Sequence, residues 1–251
     1  MTTMTFDLIG AGRLGKTLGK ALIENNLLEI RSICNATLAS SQAARKELGK
    51  GKPIASLTEL EPADLVWITV PDNLIANVAR ILAEKRSLKD GTIVVHCSGV
   101  LDSSVLEPLA QLGCHTASLH PLKAFAKTQY DPHAFYECYC TIEGAPHAIS
   151  TLLSLFKKLG AALIPIQAEK KACYHAAAII ASNFLVTLAA TSTQLLTKTG
   201  IEISLAKALT QQLMQSSLDN IVHKNTIEDA LTGPFSRGDS STIKQHIEGI
   251  N

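Results

Sequence analysis

Three glycines near the start of the chain have the spacing of a phosphate-binding turn. They follow a short apolar run, Phe6 to Ile9, and stand in the order Gly10-x-Gly12-x-x-Gly15, with an amphipathic segment behind them. In such a strand–turn–helix unit, the first glycine makes the tight turn, the second admits a pyrophosphate to the backbone, and the third lets the helix pack on the strand. The free N–H groups at the start of the helix then attract the phosphates. The pattern predicts a dinucleotide site, and the alternative is a purely structural turn.

The residue that follows the second predicted strand separates the two nicotinamide dinucleotides. NAD-binding versions of this unit carry an Asp or Glu there, which accepts a hydrogen bond from the ribose 2′-hydroxyl. This chain has Asn35, so no carboxylate would repel a 2′-phosphate, and Ser40 and Arg13 add donors for it. The alternative is that Asn35 caps a turn and that Ser40 and Ser41 are the N-cap of the next helix. We predict NADP(H), bound by the following residues: Gly10, Gly12, Arg13, Leu14, Gly15, Asn35, Ser40, Val70 and Pro71.

Strand and helix signals alternate from residue 5 to about residue 166, and this alternation must position the residues above. Buried-strand patterns such as Ala63–Val70 and Gly91–His96 are separated by helical patterns, which is typical of a doubly wound parallel sheet. Only helical patterns follow Gln167. We predict an α/β fold, with a doubly wound, mostly parallel Rossmann sheet followed by a small all-helical C-terminal domain. The predicted domains are 1–166, for NADP binding, and 167–251, for substrate binding and dimerisation.

Composition excludes several classes of function. The chain is 46% hydrophobic and its net charge is +1, so nucleic acid is a poor partner for it. No zinc spacing, P-loop or Ser-His-Asp motif is present, and no metal is expected. The six scattered cysteines are expected to be reduced thiols. The start of the chain has no secretory pattern, so we expect a cytoplasmic protein.

One apolar segment raises the question of whether it spans a membrane. Residues 172–188 are alanine-rich and apolar, but His175, Ser182 and Asn183 lie among them. Alanine contributes little to membrane insertion, and three polar residues oppose it. We therefore expect a buried helix of a soluble protein and no membrane partner.

Several motifs of the chain together resemble one bacterial family. They are the glycine loop, Val70-Pro-Asp72, His96-Cys-Ser-Gly99, Leu119-His-Pro-Leu122 and Leu231-Thr-Gly-Pro-Phe-Ser-Arg-Gly-Asp239. They resemble a Rossmann-like NADP-binding family whose C-terminal domain has no assigned function, and the resemblance covers nearly the whole chain. That family is similar to deazaflavin-linked NADP reductases, pyrroline-5-carboxylate reductases and β-hydroxyacid dehydrogenases, and some members are alternative ketopantoate reductases of pantothenate synthesis. The resemblance implies an NADP-dependent oxidoreductase.

Lys171 and His175 are the first candidates for a proton donor. Reduction of a carbonyl group by hydride needs such a donor near the oxygen and a grip on the rest of the substrate. The two residues are four apart in a predicted helix, so their side chains share one face. β-Hydroxyacid dehydrogenases and ketopantoate reductases place a Lys and an Asn on this helix. Lys171 matches that Lys, whereas His175 stands where the Asn is expected and Asn183 comes a turn or two later. The alternative is a solvated lysine and a core histidine.

Two predicted strand ends supply further candidates, because ligands of open α/β sheets bind beyond the carboxyl ends of the strands. His120 follows a strand that we expect to face the nicotinamide, and it is the second candidate proton donor. Ser98 and Gly99 follow the neighbouring strand and offer hydroxyl and backbone donors to a substrate carboxylate. The alternative is a turn in which Pro121 stops the strand and His120 caps it.

A glycine-rich stretch before the last predicted helix contains Arg237. This residue can hold a carboxylate through two parallel hydrogen bonds, and the stretch resembles the substrate loop of pyrroline-5-carboxylate reductases. The alternative is a connecting turn in which Asp239 or Ser240 caps the helix.

Three functions remain open from the sequence. The first is an NADPH-dependent 2-keto-acid reductase, most concretely one that converts ketopantoate to pantoate. The second is an NADPH-dependent imine reductase of the pyrroline-5-carboxylate type, which a lysine beside a protonated imine would disfavour. The third is a non-catalytic NADP-binding regulatory protein. The expected partners are a small carboxylate substrate and a second copy of the chain, paired through apolar helices of the C-terminal domain.

Overall fold

A computed structural model describes residues 3–123, 125 and 130–250. Its strands form one eight-stranded sheet in the order β3-β2-β1-β4-β5-β6-β7-β8. Neighbouring strands are parallel except β6 and β7, which are antiparallel. The predicted mostly parallel, doubly wound sheet is confirmed. The strands are β1 (Thr5–Ile9), β2 (Glu29–Cys34), β3 (Lys52–Ile54), β4 (Leu65–Ile68), β5 (Ile93–His96), β6 (His115–Pro121), β7 (Tyr139–Gly144) and β8 (Ala162–Pro165).

Helices lie between several of the strands and form most of the described chain after β8. The helices are α1 (Arg13–Glu24), α2 (Leu38–Leu48), α3 (Asp72–Lys85), α4 (Glu107–Ala110), α5 (Pro146–Lys158), α6 (Lys171–Ile179), α7 (Leu185–Lys198), α8 (Ile203–His223), α9 (Gly233–Ser236) and α10 (Ser240–Ile250). A π-helical segment, Ile180–Phe184, lies between α6 and α7. The predicted all-helical C-terminal part is confirmed.

Strand β4 shows how the sheet forms the hydrophobic core of the protein. All four of its residues are fully buried, and alternate side chains enter two apolar clusters. Trp67 packs in one cluster with Phe6 and Phe156, whereas Ile68 packs in the other with Ile75. A strand that is covered on both faces needs a continuous apolar sequence rather than an alternating one.

A β-bulge interrupts the pairing of β1 with β2. The register shifts between Phe6 and Leu8, so that the side chain of Asp7 replaces a ladder partner and accepts a hydrogen bond from the Ser32 amide at 2.9 Å. Asp7 is fully buried, and its second carboxylate oxygen has no partner among the described residues. Burial raises the pKa of Asp7 to about 6, and the hydrogen bonds from Ser32 offset part of that rise.

The chain divides into two compact units, Met1–Ala176 and Ala177–Asn251. The boundary predicted from the sequence lies between residues 166 and 167, before α6, and it stays a prediction. The described cysteines are all free thiols. Within the described residues, no group of His, Cys, Asp and Glu side chains has the arrangement of a metal site.

Consecutive helical segments from Ala168 to Lys198 are apolar enough to span a membrane by length and composition alone. The expectation was a buried helix, but none of the apolar window is buried within the chain. Phe184, Val186 and Leu188 are 55%, 68% and 61% exposed. The apolar face of this helix is therefore uncovered in a single chain.

Candidate functional site

The glycine loop between β1 and α1 has the tight geometry that its sequence predicts. Gly10 has a φ of +92°, and a Cβ atom there would lie 2.6 Å from the backbone nitrogen of Val70. A Cβ atom on Gly15 would lie 2.5 Å from both the Gly10 carbonyl oxygen and the Thr69 hydroxyl. A Cβ atom on Gly12 would have no neighbour within 4 Å. The first and third glycines thus allow the turn and the close packing, and the second leaves an open face above the loop.

Asn35 ties this loop to the next one. Its side-chain oxygen accepts a hydrogen bond from the Ala11 amide at 2.6 Å, and its side-chain nitrogen donates to the Ser40 carbonyl at 2.9 Å. Thr37, rather than Ser40 or Ser41, is the N-cap of α2, and Ser40 completes a capping box with it. Asn35 therefore acts as a brace between two loops, which corrects the sequence-based assignment of the cap.

A groove of about 460 Å³ opens above the glycine loop. One end is formed by the loop itself and by the Asn35 and Ser40 region, and the other end is apolar, with Leu57, Leu74 and Val78. A polar turn beside an apolar wall fits a phosphate joined to a flat heteroaromatic base. The predicted cofactor residues that line the groove are Gly10, Gly12, Asn35, Ser40, Val70 and Pro71. Arg13 and Leu14 begin α1 beside it.

A polar stripe crosses β6 and β7 beneath the first turns of α6. The antiparallel register pairs Ser118 with Glu143 and His120 with Thr141. Directly opposite residues in an antiparallel pair project to the same face. Lys171 contacts the first pair, and Tyr174 contacts the second. Tyr174 and His175 lie three and four residues after Lys171 and so share its helix face, and His175 meets the His120 ring, so three polar side chains of α6 meet the stripe.

Lys171 is almost completely buried, at 1% exposure. Its ammonium nitrogen donates to the Ser98 carbonyl at 3.1 Å and to the Ser118 hydroxyl at 2.5 Å, and it lies 3.9 Å from a Glu143 oxygen. Glu143 in turn accepts hydrogen bonds from the amide and hydroxyl of Ser103. Burial lowers the pKa of Lys171, although Glu143 acts against that shift. The predicted proton donor is thus surrounded by protein atoms.

Ser98 has internal partners for both of its hydrogens. Its hydroxyl donates to Asp72 at 2.8 Å, and its amide donates to Nδ1 of His96 at 3.2 Å. His96 must then carry its hydrogen on Nε2, which lies 3.0 Å from the Asp102 carbonyl oxygen. Burial lowers the pKa of His96 to about 4. A substrate carboxylate that bound the Ser98 hydroxyl would have to replace Asp72.

His120 and His175 meet at Gly99. Their ring centroids are 5.6 Å apart in an edge-to-face arrangement. A Cβ atom on Gly99 would collide with Nδ1 of His175 and would lie 3.0 Å from Nε2 of His120. A side chain at this position would displace at least one of the two rings, so glycine leaves the space that both rings occupy. Burial, helped by His175 and Lys171, lowers the pKa of His120 to about 4, so this imidazole is neutral at pH 7.

The remaining predicted substrate residues belong to the second unit. Asn183 lies in the π-helical segment, and Arg237 follows α9 and is exposed. Asp239 accepts hydrogen bonds from the amide and hydroxyl of Thr242 near the start of α10. The capping role considered for Asp239 is therefore present in the structure. The proposed role of Arg237 in substrate binding stays a prediction.

Sequence reasoning missed four polar residues of this cluster: Asp72, Ser118, Glu143 and Tyr174. Tyr174 stands between Lys171 and His175 at helical spacing, and that spacing was a usable signal. Ser118 and Glu143 come together only through the register of an antiparallel pair. Together, the cluster supplies the neutral imidazole of His120, the imidazole of His175 and one buried ammonium group at the ends of strands β5 and β6. Such a set can polarise a carbonyl or imine group.

Two known protein domains match the chain. A Rossmann-like domain matches residues 2–121, and a domain of unknown function, DUF2520, matches residues 138–251. No curated protein sequence matches the chain.

Three solved structures are similar over almost the whole chain. Protein TM1727 from Thermotoga maritima has 28% sequence identity and a TM-score of 0.72, over 96% of this chain and 87% of that one. A candidate NADP oxidoreductase, BF3122, from Bacteroides fragilis has 22% identity and a TM-score of 0.78, over 98% and 90%. Pyrroline carboxylate reductase from Plasmodium falciparum, solved with NADP bound, has 13% identity and a TM-score of 0.62, over 99% and 92%.

The last two likenesses show the fold alone, which this chain shares with a candidate NADP oxidoreductase and with a pyrroline carboxylate reductase. The two matched domains extend over nearly the whole chain. The chain therefore combines a Rossmann-like domain with a DUF2520 domain, which is the architecture of the family that its motifs predicted.

Proposed function

We propose that the protein is an NADPH-dependent reductase of a small carboxylate that carries a carbonyl group, with ketopantoate as the preferred candidate. The observation that carries the proposal is the continuity between the groove and the polar cluster. Val70 and Pro71 line the groove, and the next residue, Asp72, accepts a hydrogen bond from Ser98. A ligand that extends from the glycine loop past Pro71 thus arrives beside Ser98 and Gly99.

The groove supports a dinucleotide as this ligand. The loop presents an open face at Gly12 and the N-terminus of α1, both of which suit a pyrophosphate. The residue after β2 is Asn35 rather than a carboxylate, and Arg13 stands at the start of α1, so a 2′-phosphate meets no negative charge there. NADP bound to a structural relative of the same fold agrees with this assignment.

When bound, NADPH supplies the hydride for the carbonyl carbon. The residues of this chain then have two tasks, which are to bind the carboxylate and to provide a hydrogen-bond donor and a proton at the carbonyl oxygen. The imidazoles of His120 and His175 are the donors nearest the strand end, beside Gly99. Lys171 lies deeper and contributes positive potential that stabilises charge on the oxygen. Arg237 is the proposed carboxylate ligand.

An imine reductase of the pyrroline-5-carboxylate type is the second candidate. The fold shared with pyrroline carboxylate reductases favours it, and so does the lowered pKa of His120, because a neutral imidazole does not repel a protonated imine. Lys171 disfavours it, since its ammonium group lies in the same cluster. A non-catalytic NADP-binding protein is the third candidate.

A panel assay separates these candidates. Oxidation of NADPH is followed by absorbance with ketopantoate, pyrroline-5-carboxylate and simple 2-keto acids. Turnover of ketopantoate above the other substrates supports the first proposal, and turnover of the imine alone supports the second. Tight NADPH binding by fluorescence with no turnover of any substrate would support the regulatory protein.

We also propose that two copies of the chain pair through the second unit. A groove of about 530 Å³ runs between α7 and α8, and its lining includes Leu185, Val186, Met214 and Leu218. Leu213 on the same helix pair is 64% exposed. Helices this apolar would expose a large hydrophobic surface if they stayed alone, and an identical copy offers a matching surface. The active protein is then a homodimer.

A further inference from the structure

Tyr174 makes a direct contact with His120 that none of the roles above uses. The Tyr174 hydroxyl lies 2.7 Å from Nδ1 of His120, and the two rings meet edge to face with centroids 5.7 Å apart. Both residues are partly buried. A hydrogen bond of this length between a phenol and an imidazole allows two arrangements, because either partner can hold the shared hydrogen.

The surroundings of the phenol favour one of the two arrangements. Thr141 stands opposite His120 in the β6–β7 pair and is buried, and its hydroxyl has no hydrogen-bond partner among the described residues. Burial raises the pKa of Tyr174, and the Thr141 hydroxyl close to the phenol acts in the opposite direction. Among the described residues, the one hydrogen bond of the Tyr174 hydroxyl is that to Nδ1 of His120, and a partly buried hydroxyl needs an acceptor for its hydrogen. The hydrogen of the phenol is then free to point at Nδ1 of His120.

Gly99 lies next to the second nitrogen of the His120 ring. A Cβ atom at this position would lie 3.0 Å from Nε2 of His120. Because glycine has no such atom, Nε2 is the ring nitrogen that meets the backbone of the strand end after β5, where the substrate is proposed to bind.

We propose that Tyr174 is a positioning residue that holds His120 as the tautomer with its hydrogen on Nε2, in the orientation that presents this N–H to the substrate's carbonyl oxygen. The donor is the Tyr174 hydroxyl, and the acceptor is Nδ1 of His120. This inference rests on the proposed reductase function only for the identity of the acceptor. The tautomer itself is a property of the free protein.

The charged and titratable groups around the ring agree with a neutral donor. His175, Lys171 and Asp72 face His120, and the first two disfavour a positive charge on it, whereas Asp72 favours one. Burial is the largest effect, and the pKa of His120 falls to about 4. A fixed neutral tautomer is therefore present across the physiological pH range, and Tyr174 selects which one.

The test is nitrogen-15 NMR of the full-length protein with labelled histidine, at neutral pH and with and without NADPH. Long-range proton–nitrogen correlations identify the protonated ring nitrogen, and the variant His120→Gln assigns the signal. We expect the wild type to show hydrogen on Nε2 only. Tyr174→Phe should convert His120 to a mixture of tautomers, whereas the matched control Tyr139→Phe, whose side chain is 60% exposed, should not change it.

Kinetics supply the second readout. With whichever substrate of the panel turns over, Tyr174→Phe should lower kcat by about tenfold, the effect of one hydrogen bond, and leave the KM for NADPH unchanged. Wild-type His120 with hydrogen on Nδ1, or a tautomer that Tyr174→Phe leaves unchanged, overturns the inference. If the tautomers are as expected but the protein reduces none of the substrates, Tyr174 remains a positioning residue and the proposed reductase function is rejected.

Discussion

The ammonium nitrogen of Lys171 lies 3.1 Å from the backbone carbonyl oxygen of Ser98, and this contact joins α6 to the strand end after β5. Lys171 is therefore both a candidate proton donor and a structural link. The same ammonium group compensates the buried carboxyl of Glu143 at 3.9 Å. Any experiment on Lys171 must separate these two roles.

Replacement of Lys171 by alanine should lower kcat by about a hundredfold or more if the ammonium stabilises the developing alkoxide. The same change leaves Glu143 buried without its cation, and we expect a loss of about 3 kcal/mol in the free energy of unfolding. The double variant Lys171→Met/Glu143→Gln should recover most of that stability, measured in urea, and still have a low kcat. If Lys171→Ala retains nearly the wild-type kcat, His120 becomes the leading proton donor.

Arg237→Ala should mainly raise the KM of the carboxylate substrate. Binding of the carboxylate is similar in the ground state and the transition state, so kcat should change little. NADPH affinity, measured by fluorescence, should not move. Lys244→Ala removes an exposed cation from the neighbouring helix α10 and is the control. An unchanged KM in Arg237→Ala would exclude this arginine as the carboxylate ligand.

Asn35→Asp should shift the cofactor preference from NADPH towards NADH, because it puts a carboxylate beside the 2′-phosphate. The new oxygen also replaces the nitrogen that donates to the Ser40 carbonyl at 2.9 Å. Two oxygens then repel each other, so both affinities should fall, and the prediction concerns their ratio. Asn35→Ala loses the brace without adding charge and is the control. Equal affinities of the wild type for NADPH and NADH would contradict the premise.

Asp7→Asn should stabilise the protein at pH 8 and have a smaller effect at pH 5. Burial raises the pKa of Asp7 from 3.8 to about 6. The folded state therefore takes up a proton before the unfolded state does, so this carboxyl group favours folding at low pH and loses that effect as pH rises through about 6. The full difference is about 3 kcal/mol.

Urea denaturation of the wild type and of Asp7→Asn at several pH values measures this effect. The difference between the two proteins is the relevant quantity, because His96 and His120 contribute in the opposite direction. Burial lowers both of their pKa values to about 4, so their stabilisation is lost as pH falls from 6.5 through 4. A difference that does not vary with pH would show that Asp7 is ionised at little cost.

Val186→Glu should convert the proposed dimer into a monomer. The side chain is 68% exposed in the single chain and lines the groove between α7 and α8. A carboxylate there would be desolvated in a paired interface. Light scattering at micromolar concentration measures the mass. Leu153→Glu, in α5 of the first unit, is the control and should leave the mass unchanged. A monomeric wild type would reject the dimer.

The sheet and the glycine loop followed from local signals. Apolar runs such as Leu65–Ile68, and glycines at Gly10 and Gly15, report on structure within a few residues, and such signals survive in a single sequence. Strand β3 was missed because three residues that include Pro53 carry no strand pattern. The N-cap of α2 was misassigned because Thr37, Ser40 and Ser41 are all good caps by residue type alone.

The site could be predicted only in part. Lys171, His120 and His175 were named from helical spacing and strand ends, and the first unit brings them together. Their partners Ser118, Glu143 and Thr141 depend on the register of an antiparallel pair, which a single sequence does not encode locally. The burial of Lys171 could not be predicted either, because it depends on which strands face α6.

Hydrogen bonds within the protein hold the glycine loop in place before any ligand binds. The Thr69 hydroxyl donates to the Gly10 carbonyl at 2.6 Å, the Gly12 amide donates to the same carbonyl at 2.8 Å, and Asn35 holds the Ala11 amide. Ordering one residue of backbone costs about 1–2 kcal/mol in conformational entropy. Here that entropy is lost when the chain folds rather than when the cofactor binds. The loop is therefore preorganised, and association with the dinucleotide should proceed as a rigid docking step, with fast binding and little change in the dynamics of residues 10–15.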